Sequence, residues 1–163
     1  MNKRILILYA TLAVIILGAG IILTALFLEQ QVFKADWMLI IENPRTENFY
    51  YQIPVNTGES FTLSLRNSVS KSMVTGTFLV TRSGLIKPYT TEFTSYGPGL
   101  PMDFLEEVKI ENGIITVFHN EAPREHLLLW VSPQTEETII IYDQAYPLFT
   151  LSDSHQLLKI QLK

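Results

Sequence analysis

The sequence contains no cysteine. The chain therefore has no disulfide framework, no thiolate ligand for zinc and no thiol nucleophile. Its stability has to come from a hydrophobic core, and a domain of roughly 130 residues buries enough surface for that. The absence excludes cysteine-dependent enzymes and the small domains that disulfides hold together.

Charged residues are also scarce, at 17% of the chain, and residues 5–28 contain none. As a helix this run of 24 residues would extend about 36 Å, which exceeds the roughly 30 Å hydrocarbon core of a bilayer. The run is longer than the apolar core of a signal peptide, and no small-residue cleavage pattern follows it. The sequence therefore predicts an uncleaved transmembrane anchor at 5–28, with a cleaved signal peptide as the alternative.

The charges beside this run predict its orientation. Lys3 and Arg4 precede it, whereas the first charged residue after it is Glu29. The positive-inside rule then leaves the N-terminus in the cytoplasm and makes the protein a single-pass protein of the cell membrane. The predicted segments are a cytoplasmic N-terminus at 1–4, the anchor at 5–28, a juxtamembrane linker at 29–36 and an extracytoplasmic domain at 37–163.

The exported part has an excess of acidic residues. Without Lys3 and Arg4, ten basic residues remain against 16 acidic ones, which corresponds to a net charge of −6. Binding to nucleic acid needs a basic patch that neutralises phosphates, so this balance argues against nucleic acid as a partner. It also argues against tight contact with anionic lipid headgroups.

Short apolar runs separated by turn signals fill the rest of the chain, which is typical of an all-β domain. Residues 61–66 alternate apolar and polar side chains, the pattern of a half-buried strand. Asn112-Gly113 between two short runs predicts a hairpin. The predicted strands are Trp37–Ile41, Phe49–Ile53 (ended by Pro54), 61–66, Met73–Thr81, one from Leu85, Glu107–Ile110, Ile114–Phe118, His126–Val131, Thr138–Tyr142, Leu148–Leu151 and Leu157–Leu162. We expect the runs at His126 and Thr138 to pair, and the whole to form a β-sandwich or a partly open β-barrel.

Two segments carry a family resemblance. Asn67-Ser68-Val69-Ser70-Lys71 follows the alternating strand, and Phe93-Thr94-Ser95-Tyr96-Gly97-Pro98-Gly99-Leu100-Pro101 comes about 25 residues later. Together they resemble the bacterial family known as domain of unknown function eighteen-fifty (DUF1850), over roughly residues 58–160. The resemblance implies a small exported protein. Members of the family commonly occur beside tripartite ATP-independent periplasmic (TRAP) transporters, especially those that use TAXI solute-binding proteins. The resemblance therefore implies a transporter subunit or a solute-binding protein as the partner.

The chain departs from the family pattern at one polar position. Where members usually have a histidine, this chain has Asn67, and where they tend to have an acid in the next strand it has Thr75 or Gly76. An amide neither titrates nor ligates a transition metal well. A metal or acid–base role of the family histidine is therefore not transferred to Asn67.

The Gly-Pro loop is the first candidate for a binding surface. Tyr96, Gly97, Gly99 and Pro101 combine glycines that permit close backbone approach with a proline that restricts the chain. Such a loop presents backbone N–H groups to a carboxylate or docks an aromatic ring on a partner. The alternative is a rigid connection between the two halves of the domain.

A polar cluster at the end of a strand is the second candidate. Lys71, together with the hydroxyl of Ser68 and the amide of Asn67, has the chemistry to hold an anionic solute. The alternative is that these side chains make the local hydrogen bonds of a turn.

No catalytic or metal site is predicted. The three histidines, His119, His126 and His155, do not have zinc-ligand spacing, and Asp153-Ser154-His155 is not a triad because triad members come from separate elements. We expect a membrane-anchored interaction module without a cofactor, accessory to a solute transporter. The alternatives are a small-ligand-binding domain with a pocket at Ser68, Lys71 and Tyr96 and, less expected, an exported enzyme.

Overall fold

The computed structural model describes residues 15–20, 35–95, 107–152 and 154–163. The chain divides into two compact units, Met1–Lys34 and Ala35–Lys163. In the first unit, residues 15–20 are helical. Among the described residues, no helix combines the length and the apolar character that a membrane crossing requires. The remainder of the predicted anchor at 5–28 lies outside the described residues.

The described part of the second unit consists of strands and one short 3₁₀-helix. Its elements are β1 (Trp37–Glu42), β2 (Phe49–Val55), β3 (Ser60–Arg66), β4 (Met73–Val80), β5 (Ile86–Phe93), β6 (Glu107–Glu111), β7 (Ile114–Phe118), β8 (His126–Val131), β9 (Thr138–Ile141), β10 (Gln144–Pro147), the 3₁₀-helix Leu148–Leu151 and β11 (Gln156–Leu162). The strands form a smaller sheet in the order β2-β1-β11-β8 and a larger sheet in the order β10-β9-β3-β4-β5-β7-β6. Every pairing is antiparallel. The predicted all-β class is confirmed.

One hydrophobic core contains inward-facing side chains of both sheets. In β3, Phe61 is 1% exposed, and its ring stacks on Phe78 of β4 with centroids 5.3 Å apart. Leu39 and Ile160 of the smaller sheet are fully buried in the same cluster. Burying such a side chain stabilises the domain by about 1.5–3 kcal/mol. The two antiparallel sheets therefore share this core.

Two strand assignments from the sequence were wrong. Residues Leu148–Leu151 form a 3₁₀-helix, in which Leu148 is fully buried, and the preceding segment Gln144–Pro147 is the strand β10. Pro54 does not end β2, which continues to Val55. It is tolerated there because β2 lies at the edge of its sheet, where a missing backbone N–H leaves no neighbouring strand unpaired.

The predicted pairing of β8 with β9 was also wrong, whereas the predicted Asn-Gly hairpin is confirmed. β8 pairs with β11 in one sheet and β9 pairs with β3 and β10 in the other. Their connection folds around Glu137, which is 3% exposed and accepts the backbone N–H of Ser132 at 2.9 Å. In contrast, Asn112 and Gly113 both have positive φ and join β6 directly to β7, as a two-residue hairpin turn requires.

Candidate functional site

Asn67 organises the turn between β3 and β4. Its side-chain Oδ1 accepts the backbone N–H groups of Val69 at 2.9 Å and Ser70 at 3.0 Å. Its backbone carbonyl accepts the N–H of Lys71, and its N–H donates to the carbonyl of Ser72, both at 2.9 Å. These bonds are the local side-chain-to-backbone bonds of an Asx turn, and they account for a buried amide at the end of a strand.

The other polar residues of this turn point to solvent. Ser68 and Lys71 are exposed, and Lys71 adopts a left-handed backbone conformation with φ of 59°. Neither residue lines the three cavities described below. The remaining members of the predicted binding surface, Tyr96, Gly97, Gly99 and Pro101, lie outside the described residues.

Thr75 and Gly76 lie within β4. Gly76 pairs with Leu63 on one side and with Thr91 on the other. The ring of Phe78 lies 3.2 Å from the point where a Cβ of Gly76 would be. Gly76 therefore makes room for an aromatic ring of the core.

The three histidines lie apart along the fold. His119, at the end of β7, is hydrogen-bonded through Nε2 to the hydroxyl of Thr91 at 2.7 Å. His126 is exposed at the start of β8, and His155 is exposed just before β11. Among the described residues, no group of three His, Asp or Glu side chains is placed to hold a metal ion.

The most prominent exposed apolar surface in the smaller sheet lies on β8. Leu127, Leu129 and Val131 face the core, so Leu128 and Trp130 face outward, where they are 57% and 56% exposed. Residues two apart on a strand lie on the same face. These two large apolar side chains therefore form one apolar strip and are not isolated exposed residues. We call this pair the β8 strip.

A small cavity of about 180 Å³ adjoins the β8 strip. It is lined by Asn43, Arg45, Trp130, His155, Gln156 and Leu157. Leu157 is the residue opposite Trp130 in the pairing of β11 with β8. On the other side, the Oδ1 of Asn43 accepts the backbone N–H of Arg45 at 2.8 Å, which folds the β1–β2 loop towards the cavity. The residues that line the cavity therefore include one with an indole ring, one with a guanidinium group and one with an imidazole ring.

A charged cluster occupies the adjacent part of the same face. Glu42 of β1 is 8% exposed, and its carboxylate lies 3.7 Å from Lys159 Nζ and 3.5 Å from Lys163 Nζ. It also accepts a 2.7 Å hydrogen bond from the side-chain amide of Gln161. Lys163 Nζ lies 5.3 Å from the centroid of the Phe49 ring, a cation–π contact. A cavity of about 370 Å³ is bordered by these groups.

A third cavity, of about 510 Å³, lies at the end of the domain where β1 begins. Asp36, Trp37, Thr57 and Arg82 line it. The backbone N–H of Thr57 donates to the carboxylate of Asp36 at 3.0 Å, and this hydrogen bond lowers the pKa of Asp36. The indole Nε1 of Trp37 is buried and has no hydrogen-bond partner among the described residues. Among its described lining residues, the ionisable groups are the exposed side chains of Asp36 and Arg82, which have opposite charge.

A hydrogen-bonded pair joins two turns at the same end. The hydroxyl of Tyr142 donates to the carboxylate of Glu59, which also accepts the backbone N–H of Asn56 at 2.6 Å. Burial raises the pKa of Glu59, but the hydrogen bonds from Tyr142 and Asn56 outweigh it and the net pKa is lowered. Desolvation, followed by the hydrogen bond to Glu59, raises the pKa of Tyr142 to about 12. The pair is suited to holding the two turns together.

Sequence reasoning missed the β8 strip. Its signal was present, because His126–Val131 contains five apolar residues in a row and no charge. An uninterrupted apolar run does not reveal which face of a strand is buried, since both faces look alike. Only the packing against the core distinguishes Leu127 and Leu129 from Leu128 and Trp130.

Comparison with known proteins gives one family. The profile of the family described as "Domain of unknown function (DUF1850)" matches residues 61–148. The match begins in β3, contains the Asn67 turn and the β8 strip, and ends at the start of the 3₁₀-helix. Neither a curated protein nor a solved structure gives a significant match.

Proposed function

The chain belongs to the DUF1850 family, and from this premise we propose that it is a membrane-anchored, extracytoplasmic accessory module that binds another protein. The proposed partner is a subunit or the solute-binding protein of a TRAP transporter of the TAXI type, beside which members of the family commonly occur. The observation that carries the proposal is the β8 strip, in which Leu128 and Trp130 stand exposed side by side.

Leu128 and Trp130 lose contact with water when a partner protein covers them, and this burial is favourable. Exposed apolar residues that are scattered singly need no explanation, but Leu128 and Trp130 are adjacent on one face and Leu157 lies beside them. Tryptophan is among the residues that contribute most to binding at protein interfaces. Covering the exposed half of each side chain contributes about 1 kcal/mol, and the two lie close enough to act as the centre of a contact.

The proposed anchor at 5–28 complements this surface. A domain tethered to the bilayer meets a membrane-bound transporter at high effective concentration, so a contact of modest area is sufficient. The apolar run supports the anchor, and the basic residues before it support an extracytoplasmic domain.

The alternative proposal, a small-ligand site at Ser68, Lys71 and Tyr96, has less support. The side-chain oxygen of Asn67 is occupied by two backbone N–H groups, and Ser68 and Lys71 face solvent. A pocket that binds a small solute buries most of the ligand, which two exposed side chains on a tight turn do not do.

The test is crosslinking in native membranes with a photo-reactive amino acid at Leu128 of the full-length protein. The matched control position is Ile114, an exposed apolar residue of the other sheet. We expect mass spectrometry to identify a transporter subunit or a solute-binding protein captured from Leu128 and not from Ile114. Equal capture from the two positions, or no capture from Leu128 with the protein abundant in the membrane, would contradict the proposal.

A further inference from the structure

The sheet edges of this domain differ in how they are protected against pairing with another strand. Within the described residues, β2 and β8 end the smaller sheet, and β6 and β10 end the larger one. β2 contains Pro54 and loses register with β1, and β10 has only four residues and ends in Pro147. β6 carries Glu107, Lys109 and Glu111 on alternate positions. Prolines, irregular register, short length and charges are the features that keep sheet edges from accepting a further strand.

β8 has none of these features. It has six residues, no proline and no charged side chain, and its register with β11 is regular from end to end. No strand pairs with its outer side among the described residues. In an antiparallel pair, the backbone N–H and C=O groups of alternate residues point away from the paired neighbour. β8 therefore presents backbone donors and acceptors beside the exposed β8 strip.

We propose that β8 binds an extended, acidic segment of the partner protein as an additional strand of the smaller sheet, with a carboxylate of that segment in the cavity beside Trp130. This inference rests on the proposed function and specifies how the partner is recognised. An added strand satisfies the free backbone groups of β8, and its alternate side chains cover Leu128 and Trp130, which lie about 7 Å apart along the strand.

The backbone geometry selects a polypeptide as the occupant. Only another extended chain offers donors and acceptors with the spacing of a β-ladder. Side chains directly opposite each other on one face of the pair are in contact. Leu128 and Trp130 therefore favour apolar residues at two alternate positions of the incoming strand.

The charges around the cavity select an acidic segment. Arg45 and His155 line it together with the amides of Asn43 and Gln156, and no acidic side chain does so among the described residues. Arg45 makes no ion pair among the described residues. A guanidinium binds a carboxylate through directed N–H donors. A second copy of β8 is a poorer occupant, because the strand itself contains no carboxylate.

The test uses a library of random nine-residue peptides displayed on phage and selected on the full-length protein in lipid nanodiscs. We expect enrichment of sequences with alternating apolar residues and at least one Asp or Glu. For the best peptide, Leu128→Lys should weaken binding at least tenfold, whereas the matched variant Ile114→Lys should leave binding unchanged. Circular dichroism of both variants controls for folding.

Two further measurements distinguish strand addition from nonspecific hydrophobic binding. Methylation of the peptide backbone N–H groups on one set of alternate residues should abolish binding, and methylation of the other set should not. Arg45→Ala should weaken binding of the acidic peptide and have no further effect once its carboxylate is replaced by an amide. Binding that tolerates both methylation patterns, or that ignores Arg45, overturns the proposal.

The outcomes also distinguish this inference from the function on which it rests. Capture of a transporter component from Leu128, with no peptide selected or with binding insensitive to backbone methylation, would overturn strand addition and leave the accessory role in place. A dimer in sedimentation experiments that Leu128→Lys dissociates would identify a second copy as the occupant, and would overturn the acidic segment.

Discussion

The indole ring of Trp37 lies directly against Gly84. A Cβ atom at Gly84 would be 2.6 Å from two ring carbons of Trp37, and Gly84 has a φ of +71°. Trp37 begins β1 in the smaller sheet, whereas Gly84 lies in the turn that joins β4 to β5 in the larger one. The contact therefore connects the two sheets at one end of the domain, and only glycine fits both the space beside the ring and the backbone conformation.

Replacing Gly84 tests this contact. We expect Gly84→Ala to lower the free energy of unfolding by about 2–4 kcal/mol, because the added methyl overpacks against a partly buried ring and strains a left-handed backbone. The control is Gly58→Ala, at a glycine with φ of +89° and no atom within 4 Å of the added Cβ. It should cost only the backbone strain, about 1–2 kcal/mol. If urea unfolding shows equal losses of unfolding free energy for the two variants, the close contact with the Trp37 ring does not add to the cost of the Gly84 substitution.

Removing the side chain of Asn67 tests its role in the turn. Asn67→Ala leaves the backbone N–H groups of Val69 and Ser70 without their acceptor, so we expect a loss of about 1–2 kcal/mol in the free energy of unfolding. Asn67→Asp keeps an acceptor oxygen and should recover most of the loss. Lys71→Ala, at an exposed residue of the same turn, should change stability by less than about 0.5 kcal/mol. A full loss in the Asp variant would contradict the assignment.

The pair of Glu59 and Tyr142 predicts a dependence of stability on pH. The pKa of Glu59 is lowered from its usual 4.5 because the hydrogen bonds from Tyr142 and Asn56 outweigh its desolvation. A lowered folded pKa means that its contribution is present above the unfolded pKa and is lost as pH falls through the folded pKa. The pKa of Tyr142 is raised to about 12 from 10.0, so its contribution is present below pH 10 and is lost as pH rises through 12.

Tyr142→Phe measures this contribution. At pH 7 the variant should lose about 1 kcal/mol of unfolding free energy, a modest figure because Tyr142 is half exposed. The difference in unfolding free energy between the variant and the original protein should become smaller as the pH is lowered below the usual pKa of Glu59. A protonated carboxyl group accepts the hydrogen bond of the hydroxyl less strongly than a carboxylate does. A difference that stays constant down to pH 2 in chemical unfolding would rule out the coupling.

Removing the charge of Glu42 tests the ion cluster on the smaller sheet. Glu42→Gln removes the charge that Lys159 and Lys163 share, and Lys159 is only 27% exposed. We expect a loss of about 1 kcal/mol in the free energy of unfolding, because two partly exposed lysines lose the carboxylate that they share. Glu111→Gln breaks the exposed pair with Lys109 and should cost less than about 0.5 kcal/mol, an effect that salt screens. Equal losses in the two variants would argue against the cluster.

The strands were largely predictable because their signals are local. The alternation at residues 61–66 places Phe61 in the core and Thr62 outside it, and Asn112-Gly113 forms its hairpin. The candidate site was predictable only in part. The sequence indicated that Asn67 ends a strand in a turn, but not that its side chain is occupied by two backbone N–H groups.

What the sequence by itself determined is the β class, most strand positions and the family, because period, turn chemistry and short motifs act over a few residues. Only the tertiary structure decided that β8 pairs with β11 and leaves β9 to the other sheet. It also decided that Leu128 and Trp130 face outward while Leu127 and Leu129 join the core. The physical reason is that an apolar run does not specify which of its faces is buried: pairing with β11 places β8 in the smaller sheet, and packing against the core then determines which side chains leave water.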